Sequence, residues 1–312
     1  MPDIITVGEI LVEVMTQKIG QSFLEAGNLA GPFASGAPAI CVDQAARMGA
    51  CCGIISKVGD DDFGRMNINR LKNDGVDVSQ IKISSEYTTG TAFVTYFEEG
   101  SRHFIYHFKH SAAGHVEPGD ICMDYLAGCK YFHVMGCSLS ATVSMREAVL
   151  LAARKAKEMG AKISFDPNLR PELLENERVR IVFGEMIGMT DILISGKNEI
   201  LALLGLAGTE ETLRALRGEG VLDVILKDGA RGVDVITGKK NSHIDAFSTQ
   251  EVDPTGAGDC FDGAFLACLA EGMGIVEAAR IAAAAGALSV SKKGPMEGAH
   301  FREDVLRLAY SK

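Results

Sequence analysis

Tyr131-Phe132-His133-Val134-Met135, then apolar residues at helical spacing from Val143 to Met159 closed by Gly160, then Lys162-Ile163-Ser164-Phe165, decide the fold. Two short apolar runs joined by a helix of that length form a βαβ unit. The pattern continues downstream. A helix is expected up to about Met189, a strand at Ile192 to Ser195, short helices at Asn198 to Leu204 and Glu210 to Arg217, a strand at Asp223 to Lys227 and a hairpin around Gly238. Upstream, Ile4-Ile5-Thr6-Val7 reads as a strand turning at Gly8, Ala37 to Gly49 as a helix, Cys52 to Val58 as a strand and Phe63 to Asn73 as a helix. Such alternation predicts an α/β domain built on a doubly wound, mostly parallel sheet. Ligands of these sheets bind beyond the carboxyl ends of the strands.

One stretch breaks the pattern. Thr91-Ala92-Phe93-Val94-Thr95-Tyr96-Phe97 and Arg102-His103-Phe104-Ile105-Tyr106-His107-Phe108 alternate aromatic and polar residues around Glu98-Glu99-Gly100-Ser101, which predicts an antiparallel hairpin. It reads as part of a small β lid. The expected organisation is one domain over residues 1–312, with lid inserts at about 11–33 and 88–110.

Lys plus Arg number 31 against 41 Asp plus Glu, a net charge of −10, and the signs are interspersed. This argues against an extended nucleic-acid or membrane-surface partner while leaving room for a local phosphate pocket. The first residues carry Asp3, Glu9 and Glu13 and no basic segment, unlike a secretory signal, and no apolar run approaches the roughly 18 residues of a membrane span. A cytoplasmic protein is expected. The eight cysteines include the adjacent pair Cys51-Cys52 and no C-x-x-C, so reduced, mostly buried thiols are expected. His103, His107, His110 and His115 cluster in sequence, but their hairpin spacing suits surface or pocket histidines better than a metal site.

The most specific motif is Asp253-Pro254-Thr255-Gly256-Ala257-Gly258-Asp259, followed by a helical pattern at Phe261, Phe265, Leu266 and Leu269. Gly256, Ala257 and Gly258 leave backbone amides open at a helix start, where the dipole favours an anion such as phosphate. In the first turn, Asp259 can take a proton from a hydroxyl while the amides stabilise a transferring phosphoryl group. An Asp that only complements the helix dipole fits the same residues.

Residues 253–259 closely resemble the D-T-x-G-A-G-D signature of the ribokinase/PfkB family of ATP-dependent sugar kinases, and the match runs in order over nearly the whole chain. The resemblance implies that Asp259 is the general base and that Gly256, Ala257 and Gly258 form the anion hole. Pro254 replaces the usual Thr, which removes one hydroxyl and one N–H. Ser35-Gly36-Ala37-Pro38-Ala39-Ile40 stands where the family has its Gly-Gly-Ala-x-x-Asn sugar element, with Ile40 in place of the amide. Glu9 and Glu13, at the exit of the first strand, join Ser35, Gly36 and Ala37 as substrate-site candidates. Val58 to Gly64 looks like the family's G-x-D-x-x-G element; Asp60, Asp61 and Asp62 leave metal binding or helix capping open.

Asp166-Pro167-Asn168-Leu169-Arg170 resembles a segment of fructokinases and 2-keto-3-deoxygluconate kinases, which makes Asp166 and Arg170 substrate candidates. Gly196-Lys197-Asn198-Glu199 matches the family's Asn-x-x-Glu and keeps the glutamate, implying that Glu199 acts through magnesium-bound water. Lys227 to Gly232 resembles the turn beside the nucleotide phosphates, with Lys227, Gly229 and Gly232 as its contacts, and the alanine-rich helix Ala278 to Val290 with Gly286 lies where the family packs adenine. Asp253 and Thr255 align with positions that hold a monovalent cation in several relatives, which leaves K+ open as a further cofactor. ATP and Mg2+ are the implied cofactors.

The resulting expectation is in-line transfer of the γ-phosphate to a primary hydroxyl, with Asp259 as base and the lid excluding water. The segment 166–170 and Gly294-Pro295-Met296-Glu297-Gly298 look most like 2-keto-3-deoxygluconate kinases. In those relatives an aromatic residue and an Arg on the lid strand hold the acid sugar; here Ile105 to His110 supplies Tyr106 but no Arg, with His107, Lys109 or His110 as substitutes. A fructokinase or other ketose kinase is the alternative, and a catalytically silent sugar-binding regulator is the alternative of another class. A homodimer through the lid is expected.

Overall fold

The computed structural model describes residues 1–98, 101–169, 177–206, 208–238 and 240–311. Two expectations fall outside them: the Glu99-Gly100 tip of the hairpin and Arg170.

The large sheet has nine strands: β1 (Ile4–Val7), β4 (Cys52–Gly59), β5 (Ile81–Ser84), β8 (Tyr131–Met135), β9 (Lys162–Asp166), β10 (Ile192–Gly196), β11 (Asp223–Lys227), β12 (Val233–Thr237) and β13 (Lys240–Ile244). Their order is β13-β12-β11-β10-β9-β8-β1-β4-β5. From β5 to β11 every neighbouring pair is parallel; β12 and β13 extend the edge as an antiparallel hairpin. The chain winds outward from β1 in both directions, through β4 and β5 on one side and β8 to β11 on the other. The switch point therefore lies at the carboxyl ends of β1 and β8, where such sheets open a crevice.

Helices cover both faces, which explains strands without polar alternation. Ile4, Ile54, Ile194 and Ile225 point into a core shared with the helices Ala37–Arg47, Ala257–Ala270 and Ile275–Ser289. Ile5, Ile55, Leu193, Val224 and Leu226, each next in sequence to one of these or to its partner, point the other way. They pack against the helices Val143–Glu158, Glu177–Met189 and Thr209–Gly218. The period of two along a strand sends neighbours to opposite faces.

A second sheet has the order β3-β2-β6-β7, from β2 (Leu11–Thr16), β3 (Leu29–Ser35), β6 (Gly90–Tyr96) and β7 (Arg102–His107). The expected hairpin is β6–β7, antiparallel from Thr91↔His107 to Tyr96↔Arg102, and β2 runs parallel to β6. β2 is almost wholly buried, whereas β7 is mostly exposed. The strand boundaries exceed the expected inserts by two residues, to Ser35, because Leu11↔Ser35 closes the β2–β3 ladder. The alanine-rich helix also begins earlier than expected, at Ile275 behind Gly274. No helix among the described residues is long and apolar enough to cross a membrane.

Candidate active site

The site is built where polar residues follow the parallel strands. Gly256 has φ 82° and ψ −3°, and a Cβ there would lie 2.5 Å from the Pro295 carbonyl oxygen, so only glycine fits without displacing that backbone. Its left-handed turn starts the helix Ala257–Ala270; the Ala257 N–H donates to the Pro254 carbonyl at 3.4 Å, and the Gly258 and Asp259 amides lie in the first turn, where the helix itself supplies no acceptor. Asp259 sits in the first turn, 9% exposed. Its Oδ1 accepts a hydrogen bond of 3.1 Å from Asn168 Nδ2.

A cavity of about 590 Å³ lies between this helix start and the smaller sheet. It brings together Glu9, Glu13, Ser35, Gly36, Ala37, Tyr106, Glu199, Thr255, Gly256 and Asp259 from the expected residues, and adds Arg102 and Asn168. Glu9 is held by Ser138 Oγ, which donates to its Oε2 at 2.7 Å, and Ser35 Oγ donates to Glu13 Oε2 at 3.2 Å. Ser35, where the family has glycine, thus fixes an acid instead of merely allowing close approach. Ile40 forms apolar floor beneath Gly256, its Cγ2 3.4 Å from where a Cβ would stand.

Other expected residues lie beside or beneath this cavity. Asp166 is 2% exposed; its Oδ2 accepts from Lys227 Nζ at 2.7 Å and its Oδ1 from the Asn168 N–H at 2.9 Å, so its oxygens face the scaffold. Lys227 lies directly under the anion loop, with Nζ 3.2 Å from the position of a Cβ on Gly258. It also donates to Asp262 Oδ1 at 3.1 Å. Burial alone would lower the Lys227 pKa, but Asp166 and Asp262 hold it above its usual range. Burial pushes the Asp262 carboxyl well up, whereas Lys227 and hydrogen bonding outweigh burial at Asp166 and keep it low. Lys227 thus lies under the loop between two buried acids, Asp166 and Asp262.

Gly229 and Gly232 form the turn after β11, and Gly286 lies on the Ile275–Ser289 helix, where a Cβ would be 3.2 Å from the Ala257 carbonyl oxygen. None of the three lines the Asp259 cavity. Glu199 Oε2 accepts the Gly196 N–H at 3.0 Å, closing the first turn of its own helix. Burial and then Asp166 raise its pKa.

Asp253 is buried: Oδ1 accepts from Tyr96 Oη at 2.9 Å and the Thr255 N–H at 3.0 Å, Oδ2 from the Gly294 N–H at 2.9 Å. Arg102 Nη1 donates to Thr255 Oγ1 at 2.9 Å. Within Val58 to Gly64, Asp61 caps the helix Asp62–Asp74 through the Gly64 N–H and receives the Thr89 N–H and hydroxyl, each at 2.8 Å. Asp60 and Asp62 pair with Arg65 at the surface. The capping alternative holds for this element.

Asp259 is one of several buried acids, with Asp43, Glu199 and Asp262, whose pKa is raised, and it is the one in the first turn after Gly256. Burial, eased by Lys227 and reinforced by Asp166, Glu9 and Glu199, pushes its carboxyl up to about 7. A carboxylate poised near neutrality beside open amides is suited to accept a proton from an alcohol. Arg102, Asn168 and Asp262 had no role in the sequence reading. Arg102 lies on the strand where an Arg is expected, but four residues before Tyr106 and not after it.

The pattern that defines the pfkB family carbohydrate kinases matches residues 27–302. A fructokinase of Solanum tuberosum is 30% identical over 316 residues, covering 98% of this chain and 95% of its own. The 2-dehydro-3-deoxygluconokinase of Thermoproteus tenax is 34% identical over 253 residues, covering 80% and 77%. A candidate Ribokinase II of E. coli, solved in complex with ATP and Mg2+, superposes with a TM-score of 0.94 at 41% identity over 99% of each chain.

Proposed function

The chain belongs to the pfkB family of carbohydrate kinases, phosphotransferases that use ATP and an alcohol acceptor, and from that premise we propose which residues act and on what. The observation that carries the reading is Asp259, buried at the cavity wall in the first turn of the Ala257–Ala270 helix, with its pKa near neutrality. Asp259 takes the proton of a primary hydroxyl as that oxygen bonds to the γ-phosphorus. The bond from phosphorus to the bridging oxygen breaks, and ADP leaves with the electron pair. The amides following Gly256 receive the charge that spreads over the equatorial oxygens.

Magnesium accompanies the nucleotide and neutralises phosphate charge. Glu199 fits the role of holding its water, because this acid shares the cavity with Asp259 and its raised pKa reflects burial and a nearby anion that a cation would relieve. Lys227, Gly229, Gly232 and Gly286 line the nucleotide side of the loop in this reading. Potassium on Asp253 and Thr255 requires Tyr96 and Arg102 to give up the oxygens they now engage.

For the acceptor, the reading is a 2-keto-3-deoxygluconate-like sugar acid. Arg102 is the cationic side chain in the lining of the Asp259 cavity, placed to meet a carboxylate, with Tyr106 on the same strand. Fructose is the second reading, because Glu9 and Glu13 favour hydroxyl groups over a second anion. The test is ADP release by the purified chain with 2-keto-3-deoxygluconate, other 2-keto-3-deoxy acids, fructose and aldoses. The sugar acid should be turned over best, and Arg102→Met should raise its KM about tenfold or more while leaving fructose kinetics within about twofold. Preference for fructose, with no effect of the substitution on the acid, would favour the second reading. No phosphorylation of any compound would support a silent binder.

The smaller sheet acts as a lid in this reading. Its edge strands β3 and β7 expose Leu29, Ile105 and Tyr106 at 43%, 38% and 37%, a surface suited to a second copy. Light scattering should give twice the 33.2 kDa chain mass; the single mass would remove the dimer from the account.

A further inference from the structure

Asp259 is tied to the scaffold by a continuous strut. Lys227, at the end of β11, donates to Asp166 at the end of β9 (2.7 Å) and to Asp262 on the Ala257–Ala270 helix (3.1 Å). The remaining oxygen of Asp166 accepts the Asn168 N–H at 2.9 Å, an Asx turn. That turn holds Asn168 at φ 39°, the single positive φ of a non-glycine residue among those described. From this conformation Asn168 Nδ2 reaches Asp259 Oδ1 at 3.1 Å.

Left-handed backbone is uncommon for a non-glycine residue, least so for Asn, and persists where the surroundings support it, often beside functional groups. Here the support is the Asx turn to Asp166, whose other oxygen is held by the buried Lys227, and the side-chain amide lies 3.1 Å from Asp259 Oδ1 and 4.0 Å from Met135 Sδ. We propose that Asn168, braced by the Lys227–Asp166 pair, is the positioning residue that presents Asp259 to the acceptor hydroxyl. This rests on Asp259 being the base. With Oδ1 held, rotation of the carboxylate is restricted, and Oδ2 is the oxygen that takes the proton. The amide also favours the ionised form of Asp259, countering burial. The titratable groups around Asp259 are Lys227, Asp166, Glu9 and Glu199, Cys41 on the Ala37–Arg47 helix, and Cys260 and Asp262 on its own helix. Substituting Asn168 removes none of these groups; water admitted beside Asp259 would lower its pKa, so an upward shift reports loss of the amide.

The test is Asn168→Gly, which tolerates positive φ and keeps the Asx turn while deleting the amide. Its kcat should fall about ten- to hundredfold with both KM values within about threefold, since a misplaced catalytic group loses orientation, not binding. The acid limb of its kcat profile should move up by about half a pH unit or more. Asn168→Ala should show the same kinetics and an additional drop in Tm from backbone strain. Wild-type kcat and an unshifted limb in Asn168→Gly, while Asp259→Asn is inactive, would overturn the positioning role alone. A loss of kcat with an unshifted limb would also overturn it, marking Asn168 as structural. Undiminished turnover by Asp259→Asn would instead overturn the base reading itself.

Discussion

Asp259→Asn should lower kcat about 10³- to 10⁴-fold with little change in the KM for ATP, because the amide keeps the shape of the side chain and removes its basicity. The same substitution should stabilise the protein at high pH. The folded carboxyl is pushed up to about 7 from the ordinary 3.8, so its ionised form is disfavoured in the fold. Below pH 4 both folded and unfolded chains hold the proton and the group has no effect. As pH rises from 4 to 7 only the unfolded chain gives it up, and stability falls; above 7 the full cost persists, about 4 kcal/mol at most. Asparagine has no such cost, so the Tm of the variant should exceed that of the parent by several degrees at pH 8 and match it near pH 4. Thermal melts at the two pH values, beside the kinetic assay, check both halves. Inactivity with a lower Tm at pH 8 would point to damage of the fold.

The second large effect is expected at the anion loop. Gly256→Val places a β-branched side chain at φ 82° and a Cβ 2.5 Å from the Pro295 carbonyl oxygen. Left-handed strain adds to the clash, so the turn must move, and the amides it aims move with it. Loss of preorganised donors to a developing anion costs about 10²- to 10³-fold in kcat. Circular dichroism should retain the α/β signature, since the change is confined to the turn before one helix, and acceptor binding should weaken less than turnover because Glu9 and Glu13 do not bond to the loop, whereas Arg102 on β7 donates to its Thr255. Steady-state kinetics with a direct measurement of acceptor binding separates the two. Near-parental kcat would remove the loop amides from the transition state.

Much of this was legible in the chain. Runs such as Ile192 to Ser195 and Asp223 to Lys227 are apolar on both faces because helices cover both, so the parallel sheet could be read from them, and the glycines of Gly256-Ala257-Gly258-Asp259 marked the turn into a helix. Less legible were pairings set by the sheet order. Asp166 was expected at the substrate; it faces Lys227 instead, because β9 and β11 flank β10 and bring residues 61 apart in sequence into one buried pair. Asp262 was hidden in an apolar helix pattern, where nothing local shows that a lysine from another strand will meet it. Arg102 is not legible as a site residue, because only the fold shows that the start of β7 lies against Thr255. Asn168 sat in plain view within the 166–170 segment, yet its role depends on a backbone angle that an Asp-Pro-Asn sequence permits without dictating. Arg170 lies outside the described residues, so its part in substrate binding stays with the sequence reading.

The central claim is that the Asp259 carboxylate takes the acceptor proton at neutral pH, and the pH dependence of kcat/KM for the best acceptor tests it most directly. The account predicts a rate that climbs tenfold per pH unit on the acid side and levels off with an inflection near 7, the pKa to which burial and the neighbouring acids push Asp259. A profile that stays level from pH 5.5 to about 8, or an inflection retained in Asp259→Asn, would contradict it.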